Sequence, residues 1–234
     1  MVSSSSAARR SRSLTISKSI FKTPILEKRC PLGTETIGLI SGLLVIVSII
    51  PYVIRTWQDK IHPNLTSWSL WALIGLALLL TYKSSGAGSN IWPAVFGFTN
   101  PLLITLLVLK KHGRWTKMNR VEIVCLILGI IALAIWVVVY DRQELAQYAL
   151  YLAIAADIFA AIPTFVFVWT QPDGDRPFAW VFFAIGYGLA IFAITEHTFA
   201  NYVLPLTMFL AALSVALPLI LYRWREKIPL SEWI

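Results

Sequence analysis

Charge is scarce in this sequence. Asp, Glu, Lys and Arg together supply 14% of 234 residues, against about 25% in a soluble domain. Cysteine is nearly missing as well: Cys30 stands in a polar N-terminal tail and Cys125 in an apolar run, with neither a CxxC pair nor metal-ligand spacing between them. Both read as structurally bland, since a free cysteine behaves as a small hydrophobe. His62, His112 and His197 lie in or beside polar connections and form no cluster. A P-loop is lacking, which excludes an ATP-driven motor on this chain, and so are GxSxG and HExxH. The last apolar run has no lysine for a retinal Schiff base. A membrane enzyme needs several convergent polar groups, and the apolar runs hold too few. No enzymatic activity, cofactor or metal is therefore expected. The tail has no apolar stretch before Gly33, so it is not a secretory signal peptide.

What the sequence has in excess is long apolar runs. It is 57% hydrophobic with mean hydropathy +0.70, where a soluble domain has about 45–50% apolar residues. Seven runs approach the roughly 20 residues that a membrane helix needs: 37–54, 67–82, 91–109, 123–140, 145–169, 178–195 and 202–222. They are continuous rather than alternating, which selects helices over an outer-membrane barrel. Turn-forming residues punctuate the connections, as in Asp59-Lys60-Ile61-His62-Pro63-Asn64 and Pro172-Asp173-Gly174-Asp175-Arg176-Pro177. The expected architecture is an all-α membrane protein of seven transmembrane helices.

The net charge of +8 reads as basic loops facing the cytosol, not as a nucleic-acid surface. One side of the seven-run topology holds Arg55, Lys60, Lys110, Lys111, Arg114, Lys117, Arg120, Arg176, Arg223, Arg225 and Lys227; the other holds Lys83 and Arg142. The positive-inside rule puts the first side, with the C-terminus, in the cytosol and the N-terminus outside. The basic, serine-rich tail 1–35 argues the other way. Its composition fits an organellar transit segment or a solvated arm, and cleavage would remove most of the conflict.

The chain resembles itself. Shifted by 112 residues, Pro51 meets Pro163, Trp57 meets Trp169, Trp68 meets Trp180 and Pro93 meets Pro205, without a gap. Ile46/Ile158, Ile50/Ile162, Ala72/Ala184 and Leu109/Leu221 match in the same register. The shift spans four helices. A unit of three helices repeated directly would return upside down, and one extra helix restores its orientation. Run 123–140 fits that part, giving a 3+1+3 arrangement of two parallel three-helix repeats: 36–111, a linker 112–144, and 145–223, followed by a tail 224–234. Parallel repeats are one of two symmetries seen in transporters, whose substrate site lies near the midplane between them.

The segment Ile50-Pro51-Tyr52 through Trp57, followed by Ser67-Trp68-Ser69-Leu70-Trp71-Ala72-Leu73, resembles a PQ-loop repeat. A second copy runs from Asp157-Ile158-Phe159-Ala160-Ala161-Ile162-Pro163-Thr164 to Trp169 and Trp180. The chain is thus similar, over residues 36–223, to the superfamily that includes the SWEET and SemiSWEET sugar carriers, with uncharacterised bacterial seven-helix members nearest in pattern. It departs from that pattern after each proline, where Tyr52 and Thr164 stand in place of glutamine. Asn100 matches the asparagine that sugar carriers of this group have in the third helix, but its partner in the seventh is Ala212. The resemblance implies alternating access, with Pro51 and Pro163 as hinges.

Candidate site residues follow from the cost of polar groups in lipid. Asp157, near the middle of the fifth run, is the one acidic residue placed deep in a span. An aspartate at the bilayer centre costs about 2.5–3.5 kcal/mol on insertion scales, so it is expected to face an interior or a cavity. There it would bind substrate, couple protons, or make an interhelical hydrogen bond. Asn100, beside Pro101, offers amide donors and acceptors to a polar solute or to a neighbouring helix. Trp71 is a candidate stacking wall, and Tyr187 and Ser214 are candidate cavity-lining groups. Trp57, Trp68, Trp169 and Trp180 read as interfacial anchors. Asn64-Leu65-Thr66 is a glycosylation sequon that this topology places in the cytosol. The expected function is a membrane carrier for a small polar solute, sugar-like or other, working by uniport or proton linkage. The alternative is a non-transporting receptor or adaptor on the same scaffold. The partners are the solute and the lipid bilayer, with no nucleic acid; a monomer suffices, and a homo-oligomer is compatible with it.

Overall fold

The structure, a computed structural model, describes residues 32–111 and 113–233. Cys30, the serine-rich tail up to residue 31 and His112 lie outside the described residues. Seven α-helices are present among those described: α1 (Leu32–Trp57), α2 (Leu65–Ser84), α3 (Trp92–Lys111), α4 (Arg120–Val139), α5 (Gln143–Thr170), α6 (Pro177–Ala190) and α7 (Phe199–Arg225). Six of them are long and apolar enough to cross a membrane. The exception is α6, at 14 residues. A 3₁₀ turn, Ile191–Ala193, ends it before the expected limit at Thr195, and the apolar segment Pro177–Ala193 is the shortest of the seven. At the other extreme, α1 starts at Leu32, ahead of the expected Ile37.

The helix limits have local causes. Asn64 caps α2, its Oδ1 accepting from the backbone N–H groups of Thr66 and Ser67 at 2.9 and 3.4 Å. The asparagine of the sequon is therefore spent on a helix N-cap. Asn119 and Glu122 form a reciprocal capping box at the start of α4. Pro177 opens α6, where its missing N–H costs nothing. Thr198 caps α7 by accepting from Asn201 N–H.

Six helices close into a ring. Within the first three, α3 lies between α1 and α2; within the last three, α7 lies between α5 and α6. The two groups meet along α1 against α6 and along α2 against α5. Small residues allow the close approaches. A Cβ on Gly75 would come within 2.9 Å of the Phe98 backbone on α3, and one on Gly186 within 2.8 Å of the Ser41 carbonyl on α1. Helix packing in lipid relies on such residues because no hydrophobic gain separates one apolar surface from another.

Helix α4 stands outside the ring, packed on α2 and α5. It is fastened to α2 near both ends. Ser67 Oγ donates to Glu122 Oε1 at 2.6 Å, and Trp136 Nε1 donates to Ser84 Oγ at 2.9 Å. Cys125 is buried in this packing. The outer face of α4 exposes Ile123, Ile127, Ile130, Ile131 and Val138. A helix face made of exposed aliphatic side chains is unusual on a soluble monomer and suits contact with lipid tails.

Candidate functional site

The ring encloses a central cavity of about 180 Å³, lined from all six of its helices and not from α4. One water needs only about 10–15 Å³ by such a measure, and an apolar cavity of about 150 Å³ takes up benzene. The space therefore suits a solute about the size of one ring.

Asp157 lies at the midpoint of α5 and lines this cavity. It is half-buried, the remaining exposure being to the cavity. Its carboxylate has no hydrogen-bonding or ionic partner among the described residues. Asn100, on the middle of α3, lines the same cavity and is itself buried. Its Nδ2 donates to the Val45 carbonyl of α1 at 2.9 Å. One half of the amide thus ties α3 to α1, which leaves its Oδ1 as the acceptor that faces no protein donor.

Trp71 and Tyr187 also line the cavity. Tyr187 is buried, and its hydroxyl donates to the Pro93 carbonyl at 3.2 Å. Gly97 makes room for it, because a Cβ there would sit 2.7 Å from the Tyr187 hydroxyl. The structure therefore brings Asn100, Asp157, Trp71 and Tyr187 together. Ser214 is not part of the wall: its hydroxyl donates back to the Ala211 carbonyl one turn earlier at 2.7 Å. Pro51 and Pro163 lie within α1 and α5, off the wall of the central cavity.

Toward the α1–α2 and α5–α6 loops the cavity extends past Tyr52, Trp68 and Thr164 to Asp175 and Trp180. Trp68 and Trp180, expected as interfacial anchors, form part of this mouth. The Tyr52 and Trp68 rings lie 5.0 Å apart. The Trp180 indole N–H donates to Asp175 Oδ2 at 2.9 Å, and the backbone N–H of Arg176 donates to Asp175 Oδ1 at 2.7 Å. Buried Arg223 secures the same loop by donating to the Pro172 and Asp175 carbonyls.

The opposite end is sealed by groups that the sequence did not single out. Tyr82 on α2 donates its hydroxyl to the Asn201 carbonyl of α7 at 2.8 Å, and it accepts from Asn90 Nδ2. Asn201 Nδ2 in turn donates to the Glu196 carbonyl at 2.8 Å and the Gly86 carbonyl at 3.3 Å. Tyr82, Asn90 and Asn201 are all buried. The acceptor on Asn201 has a cause in the sequence. Pro205, four residues on, has no N–H to return, so the Asn201 carbonyl is left for Tyr82. A second case repeats the logic, since Pro218 frees the Ser214 carbonyl, which accepts from the Trp169 indole at 3.2 Å. A proline four residues after a polar position was the available signal.

Compared against protein-family models, curated proteins and solved structures, the chain finds no match. The class follows from its own structure: an integral, multi-pass, all-helical membrane protein with a cavity between helices at mid-span. Among the described residues no group of His, Cys, Asp and Glu is arranged to hold a metal ion.

Proposed function

We propose that this protein is a carrier that moves a small polar solute across its membrane by alternating access. The observation that carries the reading is the internal symmetry of the cavity wall. Residues 112 apart line it from both halves: Tyr52 and Thr164, Trp68 and Trp180, Trp71 and Phe183, Asn100 and Ala212. The helix contacts exchange in the same way, α1 against α6 becoming α5 against α2. This supports two parallel three-helix repeats joined by α4, a 3+1+3 bundle of seven spans on the PQ-loop pattern, with the site at their interface.

In this reading α6 and its 3₁₀ turn span roughly 27 Å at 1.5 and 2.0 Å per residue. That falls a little short of a hydrocarbon core of about 30 Å, a mismatch that local thinning of the bilayer absorbs. The cavity lies toward the cytosolic side and is closed on the outside by Tyr82, Asn90 and Asn201. Pro51 and Pro163 absorb the bending when the halves rock, and uniport or proton linkage both fit Asp157.

The other reading is a receptor or adaptor on the same scaffold, favoured by the cavity's extension toward one end only. Flux separates them. Purified protein in proteoliposomes is expected to take up a labelled solute saturably, and Asp157→Asn and Asn100→Ala are expected to lose uptake while staying monodisperse. Folded protein that moves none of a panel of sugars, amines and amides, with or without a pH gradient, would overturn the carrier reading.

A further inference from the structure

The wall of the central cavity is electrically one-sided. It holds two carboxylates, Asp157 and Asp175, and no Lys, Arg or His. The two differ in their surroundings. Asp175 sits at the mouth and already accepts from the Trp180 indole and the Arg176 backbone. Asp157 sits at mid-span with no donor among the described residues. Buried Arg223, near the mouth, is no partner of Asp157, because its guanidinium donates to the backbone carbonyls of Pro172, Leu219 and Asp175. The other strong acceptor on the wall is Asn100 Oδ1, whose amide nitrogen is occupied by Val45.

Around these acceptors stand the rings of Tyr52, Trp68, Trp71, Trp180, Phe183 and Tyr187. An aromatic face attracts a cation through its quadrupole, more strongly when both are desolvated. A carboxylate in a medium of low dielectric adds a stronger attraction of the same sign. Anions meet no donor of opposite charge. A neutral polyol brings no counter-charge, so Asp157 facing it takes up a proton and offers only a neutral hydrogen bond, weaker than the charge-assisted pair that an ammonium makes.

We infer that the solute of this cavity is a small monovalent organic ammonium with a ring-sized apolar body and no carboxylate of its own. Asp157 takes the ammonium, Asn100 accepts one of its N–H groups, and the rings of the wall enclose the body. The volume sets the size, since about 180 Å³ is close to what a single aromatic ring fills. The lack of a basic side chain on the wall excludes amino-acid zwitterions, whose carboxylate would find no cation. The assignment deepens the carrier reading and uses its site, but it is a statement about binding and stands apart from flux.

The test is binding to purified protein in nanodiscs of neutral lipid, read by quenching of the cavity tryptophans and by calorimetry. The probes are benzylamine, benzyltrimethylammonium, benzyl alcohol, benzoate and glucose. Benzylamine is expected to bind saturably, at least tenfold more tightly than benzyl alcohol; benzyltrimethylammonium, which has the charge but no N–H for Asn100, is expected between the two, with benzoate and glucose silent. Asp157→Asn is expected to remove that preference, and Asp157→Glu to keep part of it. Equal binding of benzylamine and benzyl alcohol by the wild-type protein, or tighter binding of glucose or benzoate, overturns the assignment whether or not any variant folds. Ammonium binding unchanged in Asp157→Asn overturns the site. Ammonium binding without uptake in proteoliposomes would count against the carrier and leave this inference intact; uptake of a neutral solute without ammonium binding would do the reverse.

Discussion

Replacing Tyr82 with phenylalanine removes one oxygen from the seal and tests whether that end of the cavity opens. The hydroxyl donates to the Asn201 carbonyl at 2.8 Å and accepts from Asn90. It thereby joins α2 to α7 across the two halves of the ring. Without it, a carbonyl already deprived of its helical donor by Pro205 and an amide N–H of Asn90 both lose a partner in a buried place. A buried group left unsatisfied costs about 1–3 kcal/mol, while side-chain hydrogen bonds within membranes average about 0.6 and reach about 1.7 kcal/mol. A penalty of about 1–1.4 kcal/mol on the sealed state is the reasonable figure. If the bond exists only in that state, the population open at this end rises by roughly five- to tenfold.

The assay is labelling of a cysteine placed at Ala94, a buried position on the cavity wall just inside the seal. The background carries Cys30→Ser and Cys125→Ala. A membrane-impermeant maleimide is applied from the α2–α3 loop side. Tyr82→Phe is expected to raise the labelling rate about five- to tenfold over its parent. A lower melting temperature with an unchanged labelling rate would refute the reasoning, because it would mean that the bond is kept in every accessible state and serves packing alone.

Two further substitutions probe the packing around the cavity. Gly97→Ala brings a Cβ to 2.7 Å from the Tyr187 hydroxyl, closer than the two can stand; it should lower the melting temperature and weaken binding of whatever solute the cavity takes, and adding Tyr187→Phe should recover part of the loss, which a general helix defect would not. Asn119→Ala removes the capping box of α4 and should cost about 1 kcal/mol of stability, seen as a lower thermal midpoint, while leaving cavity binding within experimental error because α4 contributes no wall residue.

Legibility in the sequence followed the cost of placing each group in lipid. Asp157 and Asn100 stood out because an amide or a carboxylate in an apolar run has no partner within its own helix, so it has to find a cavity or another helix. Both do: Asp157 faces the cavity, and Asn100 divides itself between the cavity and Val45. Ser214 looked similar on paper, yet a hydroxyl can satisfy itself on the carbonyl one turn back, as it does here with Ala211. A serine in an apolar helix therefore carries much less information than an asparagine. The helices themselves were readable to within a few residues from run length. The early stop of α6 was not, because residues 191–195 are as apolar as those before them and only the switch to a 3₁₀ turn ends the helix.

The seal was hidden for a different reason. Asn90 and Asn201 fall at the ends of apolar runs, where a polar residue ordinarily meets water, and nothing local distinguishes them from loop residues. What distinguishes them is a partner 119 residues away, since Tyr82 reaches Asn201 only after the two halves have closed on each other. The repeat could have pointed there. Pro93 and Pro205 occupy matching places, and in each half a tyrosine from the other half answers nearby: Tyr187 donates to the Pro93 carbonyl and Tyr82 to the carbonyl that Pro205 leaves without a donor. Tyr82 and Tyr187 are not themselves matched at the repeat spacing, so a register search for identical residues passes over them. The two halves have kept the prolines and supplied the donors independently, an asymmetry that also gives Asn100 to one half and Asp157 to the other. A cavity built in this way need not treat its two ends, or the two ends of its solute, alike.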